Sequence, residues 1–80
     1  MRIDDYLSTV GIIKRRSVAK EMADNGLIEV NGRRVKASYD IGLNDIIVIK
    51  GSRPYKAEVL AIPAGSVAKG SRTDFFRPLT

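Results

Sequence analysis

The chain has 80 residues, of which 14 are Lys or Arg and 9 are Asp or Glu, so its formal net charge is +5. It contains no cysteine and no histidine, which excludes a disulfide framework, the usual zinc and haem ligands, and Ser-His-Asp or Cys-His catalysis. The length favours one domain with a small core. The charge favours an anionic partner, which could be nucleic acid, an acidic protein or an anionic membrane.

No segment is predicted to enter a membrane. The N-terminal residues lack the apolar stretch of a signal peptide, and the longest purely aliphatic run covers only residues 46–49. We therefore expect a soluble cytoplasmic protein.

Residues 3–10 are predicted to form a short amphipathic helix. At about 100° per residue its apolar side chains fall in one arc: Ile3, Tyr6, Leu7 and Val10. Asp4 and Asp5 fall on the polar side in the first turn, where the helix dipole favours negative charge. Gly11 is expected to end the helix.

Residues 17–25 are predicted to form a second short helix. Its apolar arc contains Val18, Ala19, Met22 and Ala23. Ser17 is the expected N-cap and Gly26 the expected stop. Because helices this short do not persist alone in water, each is expected to pack on the other or on a sheet.

The following residues predict a small antiparallel sheet. Asn31-Gly32 is a strong hairpin signal, residues 40–45 are rich in turn formers, and residues 46–50 and 55–62 have the composition of strands. The predicted fold class is therefore α+β, with two short N-terminal helices packed on a small antiparallel β-sheet.

The composition changes after Pro63. Small residues and Pro78 interrupt the segment, so we predict one domain over residues 1–62 and a flexible C-terminal tail over residues 63–80. Phe75 and Phe76 are candidates for anchoring this tail on the domain or for binding a partner.

A basic cluster precedes the second helix. Lys14, Arg15 and Arg16 stand where the helix dipole disfavours cations, and together with free backbone N–H groups they could hold a phosphate. Lys20 shares their solvent face, and Arg2 begins the neighbouring helix. The alternative is a solvated basic loop.

A second basic cluster follows the hairpin turn and contains Arg33, Arg34 and Lys36. Arg34 and Lys36 are predicted to share one strand face. Such cations also protect edge strands from pairing, which is the alternative interpretation. If the helix and the hairpin pack side by side, both clusters share one rim suited to phosphate-backbone recognition.

Other functional constellations are weak. The aspartate pairs Asp4/Asp5 and Asp40/Asp45 are attributed to the helix dipole and to turn chemistry. The sequence has no glycine-rich phosphate loop. We expect no catalytic residues, no cofactor and no metal site.

Several motifs together resemble the RNA-binding domain named after the fourth protein of the small ribosomal subunit, also called the alpha-L motif. They begin with MRIDDYL and IKRRS, continue with AKE and GLIEVNG, and end with VK and GLNDII, in order over residues 1–62. A chain with MRID and IKRRSVAKE is most similar to the small bacterial proteins related to the fifteen-kilodalton heat-shock protein, which include a ribosome quality-control factor.

The resemblance implies a non-catalytic protein that binds structured ribosomal RNA and tRNA, on the large ribosomal subunit, in rescue of stalled nascent chains. By motif position it implies these RNA-binding residues: Arg2, Lys14, Arg15, Arg16, Ser17, Lys20, Asn31, Arg33 and Lys36. We expect a monomer. Two alternatives remain: a protein-protein adaptor acting through Phe75 and Phe76, or a targeting module for an RNA-modifying enzyme such as a pseudouridine synthase.

Overall fold

The computed structural model describes residues 1–63 and 75–79. Within these residues two helices precede five strands: α1 (Ile3–Thr9), α2 (Arg16–Asp24), β1 (Ile28–Val30), β2 (Arg33–Arg34), β3 (Ile46–Ile49), β4 (Tyr55–Val59) and β5 (Phe76–Pro78). The strands form one antiparallel sheet in the order β2-β1-β3-β4-β5. The predicted α+β class is confirmed.

Two glycine-dependent turns set the path of the chain. Asn31 and Gly32 have φ values of 53° and 84°, the left-handed conformations that a two-residue type I′ hairpin requires, and they place Val30 opposite Arg33. Gly26, with φ of 73°, follows the C-cap of α2 and directs the chain into β1. Both turns were predicted from the sequence, and both are confirmed.

One face of the sheet packs against the two helices and forms the core. The alternation of buried Ile28 and Val30 with the more exposed Glu29 is the two-residue period of a half-buried strand. The core includes Ile3, Tyr6, Leu7, Val10, Ala19, Ala23, Ile28, Val30, Ile47, Ile49 and Val59. The opposite side, here the outer face, carries Glu29, Ile46, Val48, Lys50, Lys56, Glu58 and Arg77.

The predicted apolar arc of α2 is too wide. Ala19 and Ala23 are buried and Met22 packs partly against the core, but Val18 is 42% exposed. On a helix of about 100° per residue, Val18 lies at the far edge of the arc from Ala23. Helix α2 therefore contacts the core through Ala19, Ala23 and part of Met22, and Val18 lies outside this contact.

The predicted N-cap is also wrong. Helix α2 begins at Arg16 with Arg15 in the N-cap position, and none of the side chains that the structure describes caps it. Val18 N and Ala19 N both donate to Arg15 O, each at 3.1 Å. The Arg16 side chain reaches Asp4 of α1, so we attribute the start of α2 to this contact between helices rather than to a local cap.

The C-terminal segment adds a fifth strand, which the sequence analysis did not predict. β5 pairs with β4, with Val59 opposite Phe76 and Glu58 opposite Arg77. Phe75 and Phe76 are half-buried against the core, in agreement with anchoring on the domain. Residues 64–74 and 80 lie outside the described part, so the proposed division into residues 1–62 and 63–80 stays a prediction.

Tyr6 joins helix α1 to this C-terminal segment. Its hydroxyl donates a hydrogen bond of 2.6 Å to the carbonyl oxygen of Phe75. Burial raises the pKa of the Tyr6 hydroxyl from 10.0 to about 12, because the anionic form is disfavoured away from water.

Candidate nucleic-acid interface

The N-terminus of α1 is fixed to the loop that follows β2. Ile3 N donates to Tyr39 O at 2.8 Å, and Asp4 N donates to Ala37 O at 3.3 Å. These backbone bonds bring Arg2, at the start of α1, close to residues 35–39. Two predicted site residues that are far apart in sequence, Arg2 and Lys36, thereby become neighbours.

The first cleft lies where α1, α2 and this loop meet. It has a volume of about 360 Å³ and is lined by the exposed cations Arg2, Lys20 and Lys36, together with Asp24 and Ser38. Each cation comes from a different segment of the chain. A concave surface with convergent positive charge is suited to an anionic group such as a phosphate.

The second cleft lies on the other side of the same loop, beside the edge strand β2. It has a volume of about 380 Å³ and is lined by Asn31, Arg33, Tyr39 and two valines. Residues 36–38 line the first cleft, and Val35 and Tyr39 line the second. Lys20 of α2 and Lys36 of the hairpin cluster therefore share the first cleft, whereas Lys14, Arg15 and Arg16 line neither cleft.

The tip of the hairpin is held by Asp45. Its carboxylate accepts hydrogen bonds from Asn31 Nδ2 at 3.1 Å and from Gly42 N at 2.8 Å, while Asn31 Oδ1 accepts one from Ile46 N at 3.0 Å. The predicted turn role of Asp45 is confirmed. The Asn31 amide is thus engaged within the protein, where it fixes the rim of the second cleft.

Asp4 differs from its predicted role. It was placed on the polar side of α1 as a helix-dipole residue, but it is only 1% exposed. Its carboxylate accepts two hydrogen bonds from Arg2, at 3.2 and 3.1 Å, and lies 3.6 Å from Arg16 Nε. The dipole explanation is therefore incomplete, because Asp4 is the buried partner of two predicted site arginines.

The remaining predicted residues occupy the approach to α2. Lys14, Arg15 and Ser17 are exposed in the loop and in the first helical turn. Within residues 1–63 and 75–79, Lys14, Arg15, Lys20, Arg33 and Lys36 form no ion pair. We call the following set the basic face: Arg2, Lys14, Arg15, Arg16, Lys20, Arg33 and Lys36.

The structure separates Arg34 from Lys36, contrary to the prediction. Arg34 was expected to share a face with Lys36, but its side chain covers the backbone at Gly26, where an added Cβ would lie 3.1 Å from Arg34 Cδ. Arg34 lines neither cleft. Sequence reasoning also missed Asp24, at the end of α2, and Ser38 and Tyr39, in the loop that is bonded to α1.

Comparison with known families identifies this fold. The model of the S4 domain family matches residues 1–47. Over 50 residues, 62% of this chain, the sequence is 54% identical to the RQC P-site tRNA stabilizing factor of Streptococcus pneumoniae and 44% identical to that of Bacillus subtilis. The chain covers 57% and 58% of those two proteins. It is 40% identical to the Helicobacter pylori protein of the same name, over 80% of this chain and 77% of that protein.

Solved structures agree with these sequence matches. The solution structure of the hypothetical protein HP1423 is 33% identical, with a TM-score of 0.84, and is matched over 100% of this chain and 98% of that one. Trimeric heat shock protein 15 of Vibrio cholerae has the same fold, with a TM-score of 0.88 at 22% identity, over 99% of this chain and 81% of that one. In the described residues, neither helix is long and apolar enough to span a bilayer. The resemblance deduced from the sequence motifs is confirmed: the chain belongs to the S4 domain family.

Proposed function

We propose that this chain binds ribosomal RNA and tRNA through the basic face and acts on the large ribosomal subunit in quality control of stalled nascent chains. It does so as a cytoplasmic monomer without catalytic activity of its own. The observation that carries the proposal is the convergence of Arg2, Lys20 and Lys36 around one cleft, from three separate segments. The curated relatives support it, since they are named as factors that stabilize P-site tRNA in this process.

Recognition of this kind is dominated by phosphate contacts. The cations of the clefts and of the approach to α2 are spread over a rigid helix-hairpin surface, so they can match the spacing of phosphates on a folded RNA. Double-stranded RNA is read mainly by shape and by backbone contacts. Binding should therefore be strongly salt-dependent, because each phosphate contact releases counterions.

The test is crosslinking in cells followed by sequencing of the bound RNA. The proposal predicts enrichment of large-subunit ribosomal RNA together with tRNA. Recovery of messenger RNA alone, or of no RNA above background, would contradict it.

A pair of charge-matched variants makes this test specific. The basic-face variant carries Lys14→Gln, Lys20→Gln and Lys36→Gln, and the outer-face variant carries Lys50→Gln, Lys56→Gln and Arg77→Gln. Both lose three positive charges. The enrichment should be lost in the basic-face variant and kept in the outer-face variant; equal loss in both would mean that net charge alone retains the RNA.

A further inference from the structure

We propose that Asp4 is a positioning residue that holds Arg2 and Arg16 side by side as a two-arginine site for RNA phosphate. The inference rests on the proposed RNA binding and adds to it one residue, Asp4, that the predicted list of contact residues did not contain. Asp4 itself touches no RNA in this arrangement and acts through the two guanidinium groups.

The geometry of the carboxylate supports this role. Arg2 Nη2 lies 3.1 Å and Arg16 Nε lies 3.6 Å from the same oxygen, Asp4 Oδ2. The other oxygen, Oδ1, accepts hydrogen bonds from Arg2 Nε at 3.2 Å and from Asp5 N at 2.7 Å. Asp4 is thus fixed by its own helix and buried, while the two arginine side chains stay 46% and 50% exposed.

The charge balance explains why such a residue is needed. Two guanidinium groups this close repel each other, and each long side chain loses rotamer freedom when it is held in place. A single buried carboxylate offsets the repulsion and fixes both side chains. Asp5 is a second and looser partner, since its half-exposed carboxylate lies 4.0 Å from Arg16 Nη1 and reaches only that arginine. The two guanidinium groups stay about half exposed and keep N–H donors towards solvent, in the fork geometry that suits phosphate.

The direction in which Asp4→Asn changes RNA affinity distinguishes a positioning role from long-range electrostatic attraction. Asp4→Asn removes a negative charge from the basic face, so by long-range attraction alone it should tighten RNA binding. If Asp4 positions the arginines, the same substitution should weaken binding. Asp5→Asn is the matched control: it makes the same charge change one residue away, at a half-exposed side chain that lies 4.0 Å from Arg16.

The experiment measures the affinity of the full chain for a transcribed tRNA, at a temperature where circular dichroism shows each variant to be folded. We expect Asp4→Asn to weaken binding by about tenfold, a loss of the order of one charged hydrogen bond. Asp5→Asn should stay within about twofold of wild type or bind slightly more tightly. Unchanged or tighter binding by folded Asp4→Asn would overturn the inference.

A second variant serves if Asp4→Asn does not fold. Arg2→Lys combined with Arg16→Lys keeps Asp4 and the net charge but removes the planar guanidinium fork. We expect binding about tenfold weaker than wild type, with an unchanged salt dependence. Wild-type affinity in this variant would overturn the positioning role, whereas failure of the wild-type chain itself to bind tRNA would overturn the proposed tRNA binding from which the inference starts.

Discussion

Cations on the basic face and cations on the outer face of the sheet are compensated in different ways. On the outer face, Lys50 Nζ lies 2.6 Å from Glu29 Oε2, and Arg77 pairs with Glu58 on the neighbouring strand. On the basic face, Arg2 and Arg16 share one buried carboxylate. Lys20 and Lys36 form no ion pair within the described residues.

The difference shows where positive charge is left for an external partner. An exposed ion pair between strands stabilises the sheet by about 0–1 kcal/mol and leaves little net field. Lys20 and Lys36 converge on one cleft without an ion-pair partner among the described residues, although Asp24 lines the same cleft. Because like charges repel, this arrangement favours an anionic ligand, which supports the proposed RNA binding.

The largest expected effect is on RNA affinity. The basic-face variant loses three cations that are proposed to contact phosphate, and each charged hydrogen bond contributes about 1.5–3 kcal/mol. We expect tRNA binding to weaken by at least about 3 kcal/mol, or roughly a hundredfold. The measurement is a binding titration at fixed ionic strength.

The outer-face variant is the control for that titration. Its affinity should stay within about threefold of wild type, because long-range attraction is largely screened at physiological salt. A loss equal to that of the basic-face variant would remove the distinction between the two surfaces.

The next effect concerns stability and separates the buried carboxylate of Asp4 from the exposed charges of both faces. The basic-face variant should unfold at the wild-type urea concentration, since its three lysines form no ion pair within residues 1–63 and 75–79. Asp4→Asn should lower the free energy of unfolding by about 2 kcal/mol, because it leaves Arg2 and Arg16 without their shared buried partner. Glu58→Gln, which breaks an exposed pair, should cost about 0.5 kcal/mol. Equal unfolding midpoints for the two single variants would show that Asp4 is no more important to the fold than a surface acid.

A third test concerns Tyr6, which joins α1 to the C-terminal segment and carries no charge at neutral pH. The pKa of the Tyr6 hydroxyl is raised to about 12 in the folded chain, from 10.0, so the folded state holds this proton more tightly than the unfolded state does. Its contribution to stability is complete below pH 10 and is lost as the pH rises from about 10 to 12, by about 1.4 kcal/mol per pH unit in the steepest part.

Tyr6→Phe should flatten that alkaline loss in urea titrations at several pH values. It also removes the hydrogen bond to Phe75, at a cost of about 1 kcal/mol at neutral pH. tRNA affinity should be unchanged at pH 7. Weaker binding by this variant would mean that RNA recognition depends on the packing of α1 against the C-terminal segment as well as on the charges of the basic face.

The smallest expected effect compares one valine from each region. Val18 on α2 is 42% exposed, so Val18→Ala should change stability by less than about 0.5 kcal/mol. Val48 on the outer face is half-buried beside Lys56 and Leu79, and Val48→Ala should cost about 1 kcal/mol. Thermal melts of both variants check this. A larger loss of stability for Val18→Ala than for Val48→Ala would support the wide apolar arc predicted for α2.

Local signals predicted most of the fold. Asn31-Gly32 and Gly26 demand left-handed backbone, and Ile3, Tyr6, Leu7 and Val10 follow the helical period, so each could be placed without tertiary information. Ser17, by contrast, has the right chemistry for an N-cap but lies inside α2, which we attribute to the contact between Arg16 and Asp4 of α1. β5 was missed because a three-residue strand that ends in Pro78 has little strand propensity of its own and forms through its pairing with β4.

The same contrast between local signals and tertiary contacts applies to the candidate site. The motif positions predicted exposed cations such as Lys20 and Lys36, because their assignment requires only their charge and the face on which they lie. The role of Asp4 was misjudged because its burial and its contact with Arg16 arise from tertiary packing, which the helical period does not show. Arg34 was separated from Lys36 because strand β2 ends before Lys36, so simple alternation along the strand no longer applies.

The central claim is that the basic face binds RNA phosphates, and its most direct test is the salt dependence of tRNA binding for the wild type and the two charge-matched variants. With five or six contacts at about 0.7 each, as for single-stranded regions, log affinity should fall with log salt at a slope of about −4 in the wild type and in the outer-face variant. The basic-face variant should have a slope about two units shallower. A wild-type slope near zero, or an equal reduction in both variants, would contradict the account.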